Sequence, residues 1–169
     1  AESFYKAGHV NNVLIVCAEE PTRMTDWNDR STCVLFGDGA GAAVLGPGEN
    51  IRSIKLSASS ATDKLWQYRL LHPTPYITKE ECDVPLQMKG QDVFKFAVKA
   101  ASKDISRTLQ EAGRSADEVD HYLLHQANVR IVSAIRDYLE QPSEKFPVNI
   151  TDHGNSSSSS CPILLDECR

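Results

Sequence analysis

Six consecutive apolar residues, Val13-Leu14-Ile15-Val16-Cys17-Ala18, constrain this chain more than any other segment. The run has the length and β-branched composition of a strand, and it does not alternate with polar residues. It therefore predicts a strand in a sheet covered on both faces. Just before it, Ser3 to Ala7 reads as a last helical turn stopped by Gly8. Downstream, Cys33-Val34-Leu35-Phe36 predicts a second strand that leads through Gly37-Asp38-Gly39-Ala40-Gly41 into Ala42-Ala43-Val44-Leu45, and Ile51 to Ala58 alternates like a third. Residues 59–86 hold three prolines and little periodicity, which predicts a long loop over a site.

The period changes from Gln91. Phe94, Val98, Ala101, Ile105 and Leu109 share one helical face, and Gly113 supplies a stop. Ser115-Ala116-Asp117-Glu118 has capping-box spacing. Tyr122-Leu123-Leu124 and Val148-Asn149-Ile150 read as short strands. Between them, Ile131, Ala134, Ile135 and Tyr138 form the stripe of a helix that Pro142 bounds, and Ile163-Leu164-Leu165 lies on a last helix. Strands alternating with helices predict an α/β chain, with layers of helices on a mostly parallel sheet.

Composition narrows the function classes. The 169 residues are 41% apolar, enough for a core of ordinary domain size. A net charge of −5 without any Lys/Arg run argues against non-specific nucleic-acid binding. No stretch approaches the roughly 18 apolar residues of a membrane span, and no signal pattern opens the chain, so a soluble, cytoplasmic protein is expected. Five cysteines at irregular spacing form no C-x-x-C pair and read as reduced thiols. A start at Ala1 and a stop at Arg169, with no closing strand, suggest a fragment.

Two polar positions stand out. His125 lies where an apolar strand is predicted to end, beside the crevice in which α/β folds bind ligands. His121, four residues earlier, would stand about 13 Å away along a strand, too far to share a metal ion. On a helix the same spacing could hold zinc, but Tyr122-Leu123-Leu124 favours strand and no metal is expected. Asn155 follows Gly154 and precedes five serines, a composition that fits a flexible linker. The alternative is a helix start packed tightly inside a domain, since Cys161-Pro162-Ile163-Leu164-Leu165 follows without a break. Gly37, Gly39 and Gly41 do not have phosphate-loop spacing and suit close backbone packing.

Several blocks then occur in a telling order: Asp29-Arg30-Ser31-Thr32, Phe36 to Leu45, Met88-Lys89-Gly90-Gln91-Asp92-Val93-Phe94, His125-Gln126-Ala127-Asn128-Val129-Arg130-Ile131 and Gly154-Asn155-Ser156. Together they resemble β-ketoacyl-acyl carrier protein synthase III, a condensing enzyme of the thiolase superfamily, over essentially the whole chain. The resemblance implies a thiolase-like fold, with residues 1–48 ending its N-terminal half and residues 49–169 forming most of its C-terminal half. It implies His125 and Asn155 as catalytic residues of a Cys-His-Asn site that stabilise the enolate formed when malonyl-acyl carrier protein loses carbon dioxide. It also implies Arg30, Gly90 and Asn128 along the path of coenzyme A, and Arg130 as a docking residue for the acidic carrier protein.

The acyl-CoA would be a substrate, with no separate cofactor, and the full-length enzyme would be a homodimer. The family's nucleophilic cysteine falls upstream of Ala1 and part of its oxyanion hole falls beyond Arg169. Among Cys17, Cys33, Cys82, Cys161 and Cys168, only Cys161 comes near a helix start, and a packing role suits it better than a reactive one. Two rivals are a starter-unit synthase of secondary metabolism and a non-catalytic acyl-CoA or carrier-protein binding module.

Overall fold

The structure, a computed structural model, describes residues 2–67 and 85–169. Cys82 and the middle of the proline-bearing loop lie outside the described residues. Helix α1 (Glu2–Lys6) ends at Gly8, whose φ of +72° only glycine adopts without strain. Strand β1 (Val13–Glu19) follows and pairs antiparallel with β2 (Gly39–Leu45), in a register that sets Val13 against Leu45 and Glu19 against Gly39. The apolar run is a strand as its composition predicts. Its covering is incomplete, however: Leu14 is 64% exposed and Val16 61%, with Val44 of β2 at 68%.

Four predicted strands need correction. Residues 31–35 are turns, and only Phe36 makes a bridge. The 51–58 segment runs beside the long helix described next, where Ser53 and Lys55 bond to Glu111 and Ser57 bonds to Asp104. It has no ladder partner among the described residues, and Leu56 is 90% exposed. Residues 122–124 and 148–149 likewise carry no ladder, and Ile150 already begins a helix. Alternation and β-branching choose which face a segment can bury, but a strand also needs a neighbour to receive its N–H and C=O groups. The described ladders are antiparallel where strand–helix alternation predicts parallel ones. Besides β1·β2 there is a short β3 (Leu65–Trp66) with β4 (Gln87–Met88), which closes the ends of the long loop. Among the described residues the one parallel link is the isolated bridge between Phe36 and Asn155.

The helical predictions hold. Helix α2 (Gly90–Glu111) is followed by Gly113 at φ +66°, with the Arg114 N–H donating to Leu109 O. The capping box is present, the Ser115 N–H donating to Glu118 Oε2 at 2.8 Å. Helix α3 (Val129–Leu139) ends at left-handed Glu140, just before Pro142. Ile131 and Ile135 are buried as its stripe predicts, joined by Val132, whereas Tyr138 is 61% exposed. The core lies between α2 and α3: these three residues pack with Tyr122 and Phe146, against Phe94, Val98, Ala101, Ile105 and Leu109 of α2. Tyr122 and Phe146 stack with ring centroids 4.6 Å apart, and the Tyr122 hydroxyl donates to Ala116 O. Helix α4 (Ile150–His153) and helix α5 (Ser160–Glu167) complete the chain.

Candidate active site

The glycines of β2 and its approach make a side-chain-free pad for α5 and the turn before it. A Cβ on Gly37 would lie 2.1 Å from His153 O. One on Gly39 would meet Ile163 Cδ1 at 2.9 Å and Ser159 Oγ at 3.0 Å, and one on Gly41 would meet Pro162 at 2.8 Å. Close backbone packing is therefore what this block does. The serine run is no linker: Ser156, Ser159 and Ser160 are buried, and Ser156 and Ser159 lie against Gly39, where larger side chains would not fit.

Asn155 is gripped from both sides. Its N–H donates to Leu35 O at 2.7 Å, and its C=O accepts from the Gly37 N–H at 3.2 Å. Gly154, at φ +65° and ψ −168°, turns the chain into this position through a region open essentially to glycine alone. The Asn155 side-chain oxygen accepts from the Ser157 N–H at 3.0 Å. An N–H can bond only to the oxygen of the amide, so Asn155 Nδ2 and its two protons point the other way.

His125 precedes the N-terminus of α3. Its Nδ1 lies 2.6 Å from Ser160 Oγ, and the same oxygen accepts from the Gln126 N–H at 3.3 Å. Solvent reaches the residue, yet burial of its ring among protein atoms holds the imidazole below its ordinary pKa of 6.5, an effect partly opposed by a hydrogen bond to the Ser157 backbone. The neutral form is thus the resting one near pH 7. Ser157 joins the two candidates, since its N–H serves Asn155 while its carbonyl lies 3.0 Å from Ser160 Oγ.

The other predicted site residues are placed unequally. Asn128 caps α3, its Oδ1 accepting from the Arg130 N–H at 2.8 Å, so Asn128 and Arg130 share with His125 the entrance to one helix. Arg130 is exposed, and its side chain has no hydrogen bond or ion pair among the described residues. Arg30 is exposed on a turn tied by Asp29, which accepts from the Ser31 and Thr32 hydroxyls and the Ser31 N–H; these bonds hold the Asp29 carboxyl below its usual range. Gly90 opens α2, with nothing within 4 Å of where a Cβ would sit. No hydrogen bond or ion pair among the described residues joins Arg30 or Gly90 to the His125–Asn155 pair. A groove of about 320 Å3 lined by Lys6, Val44, Leu45, Pro47, Asn50 and Ile51, among others, contains none of the six candidates.

Three supporting residues escaped the sequence reading. Gln126, 1% exposed, donates to Leu124 O and accepts from the Asn149 N–H, fixing the loop that carries His125 to the start of α4. Glu167 accepts from Asn149 Nδ2 and lies 2.6 Å from His153 Nε2, which binds α4 to the end of α5. Ser160 is the third. No local pattern marks Gln126, which follows His125, and nothing marks Ser160 within a run of five serines. Cys161 lies beside Ser160 in the first turn of α5, and burial pushes its thiol up, the reverse of a reactive cysteine. Among the described residues no group of three His, Cys, Asp or Glu side chains is placed to hold a metal, and no helix is long and apolar enough to cross a membrane.

Residues 1–63 match the family of 3-oxoacyl-[acyl-carrier-protein (ACP)] synthase III, and residues 109–169 match the C-terminal region of the same synthase. The chain is 39% identical over 173 aligned residues to the β-ketoacyl-acyl carrier protein synthase III of Helicobacter pylori, with 99% of this chain and 52% of that one covered. The chain belongs to the synthase III family. The family's enzyme from Aquifex aeolicus is 42% identical, with 99% of this chain and 51% of that one covered. The crystal structure of the Thermus thermophilus synthase III superposes with a TM-score of 0.88 at 37% identity, covering 99% of this chain and 53% of that one. The fold is therefore the α/β thiolase-like one of synthase III, and the chain spans about half the length of the curated relatives it matches.

Proposed function

We propose that the protein carrying this chain is a β-ketoacyl-acyl carrier protein synthase III. It condenses an acyl-CoA, in the first instance acetyl-CoA, with malonyl-acyl carrier protein to initiate fatty-acid synthesis. In this reading the acyl group rides as a thioester on a cysteine that is not one of those described. Loss of carbon dioxide from the malonyl thioester leaves an electron pair that forms an enolate. Its carbon attacks the acyl carbonyl, the new carbon–carbon bond forms, and the cysteine sulfur leaves as the thiolate.

His125 and Asn155 would stabilise the enolate oxygen. The observation that carries this is the orientation of Asn155: its side-chain oxygen is turned to the Ser157 N–H, so its NH2 group faces the other way, which suits an oxyanion. A neutral His125 offers a second N–H without introducing a positive charge. In the same reading Arg30 meets the nucleotide of coenzyme A, where a guanidinium can stack on adenine and pair with phosphate. Gly90 and Asn128 line the pantetheine path, and the exposed Arg130 receives the acidic carrier protein. Residues 1–48 end one thiolase-like half and residues 49–169 form most of the other, in a cytoplasmic homodimer.

The test is transfer of labelled acetyl-CoA to malonyl-acyl carrier protein by the native gene product. Changing His125→Ala or Asn155→Ala should lower kcat by about 10²–10³-fold. Full activity in either variant would refute the assignment. The isolated 169-residue chain should not turn over, and turnover by it would refute the need for an outside cysteine.

A further inference from the structure

His125 can act as a donor toward a thioester oxygen only if the proton of its neutral ring sits on Nε2, so something must fill Nδ1. Ser160 Oγ lies 2.6 Å from Nδ1. It is 2% exposed, so no water competes for its single proton. Two acceptors face that proton, Nδ1 at 2.6 Å and the Ser157 carbonyl at 3.0 Å, and the Ser157 backbone also hydrogen-bonds the His125 ring, so an Nδ1–H would have an acceptor of its own. The Gln126 N–H at 3.3 Å can only donate, so it occupies a lone pair of Oγ in either case. If the proton went to Ser157, Nδ1 would have to carry the ring proton. A bare Nε2 lone pair would then meet the negative oxygen that His125 is meant to stabilise.

We propose that Ser160 is the positioning residue that sets the His125 tautomer: its hydroxyl donates to Nδ1 and leaves the proton on Nε2, facing the substrate. This rests on the reading of His125 as a donor in the condensation. The buried serine thereby has a task of its own, and it belongs to the same turn that orients Asn155. The segment Asn155–Ser160 thus supplies one donor directly and governs the protonation of the other.

The test is 15N NMR of the native gene product with labelled histidine, beside condensation kinetics of Ser160→Ala and Ser160→Thr. The His125 signals should report Nε2–H in the parent and in Ser160→Thr, and a mixture of tautomers in Ser160→Ala. For Ser160→Ala, kcat should fall on the order of tenfold to a hundredfold, the scale on which orienting partners of site histidines act, with KM for malonyl-acyl carrier protein little changed. Ser160→Thr, which keeps the hydroxyl, should restore most of the rate. An Nδ1–H signal in the parent, or an Nε2–H signal unchanged in Ser160→Ala, overturns the proposal. The NMR readout needs no turnover. The expected tautomers in a protein that does not condense would therefore refute the proposed reaction while leaving the role of Ser160 intact.

Discussion

Replacing Gly37 with alanine should do more damage than any other single methyl group added to the pad. The new Cβ would lie 2.1 Å from His153 O and 3.1 Å from His153 C, both backbone atoms with no flexible end to yield. Ordinary contact requires the two segments to separate by roughly 1 Å. That stretch breaks the Asn155 N–H bond to Leu35 O or the Gly37 N–H bond to Asn155 O, now 2.7 and 3.2 Å, and loosens the other. Lost hydrogen bonds and overpacking together should cost about 2–5 kcal/mol. Urea unfolding of the native gene product, followed by circular dichroism, measures this against Gly48→Ala. At Gly48 nothing lies within 4 Å, and the change should stay within about 0.5 kcal/mol. A shift of Asn155 by about 1 Å should also lower kcat by about a hundredfold. Equal unfolding midpoints for the two variants would show that the pad does not hold Asn155.

Gly154→Ala forces a side chain into a region reserved for glycine and should cost about 1–3 kcal/mol by the same unfolding assay, with Asn155 displaced. Asn128→Ala removes the cap of α3 and should cost about 1 kcal/mol. Because burial lowers the folded pKa of His125, the unfolded chain binds a proton first as the pH drops. The contribution of His125 to stability is therefore full above about pH 6.5 and declines as pH falls through the folded value, a slope that His125→Phe should abolish in unfolding curves recorded from pH 7.5 to 5. Leu14→Lys with Val16→Lys should lower concentration-dependent light scattering by the purified chain, since it places charges on an apolar sheet face that is now exposed.

Helices were more legible in the sequence than strands, for a physical reason. The stripe from Phe94 to Leu109 and the stop at Gly113 are local, because a helix satisfies its own backbone and buries one face. The segments at 51–58, 122–124 and 148–150 have the right composition for strands, but pairing depends on neighbours that no local pattern names. Val13 to Ala18 read correctly as a strand because its ladder partner, Gly39 to Leu45, is also here, though its two-sided covering is not. Of the candidate residues, His125 stands out by its place at a predicted strand end, whereas Asn155 stands out only through the resemblance of the Gly154-Asn155-Ser156 block, since its surroundings by composition fit a linker. The hydrogen bonds that orient them run through Ser157 and Ser160, which a run of identical residues cannot distinguish.

The bridge between Phe36 and Asn155 joins segments from opposite ends of the sequence. Contacts of this kind form late, because the entropy of closing a long loop is lost before the contact returns any stability. Helices α2 and α3 can assemble around Tyr122 and Phe146 from nearby chain, without waiting for the glycine pad. The Asn155 amide should therefore be among the last groups to reach its place during folding. A chain stalled at that stage would look well folded by its helical signal while the Asn155 amide is still out of place, so the order of the Asn155 segment is a more stringent test of correct folding here than helix content.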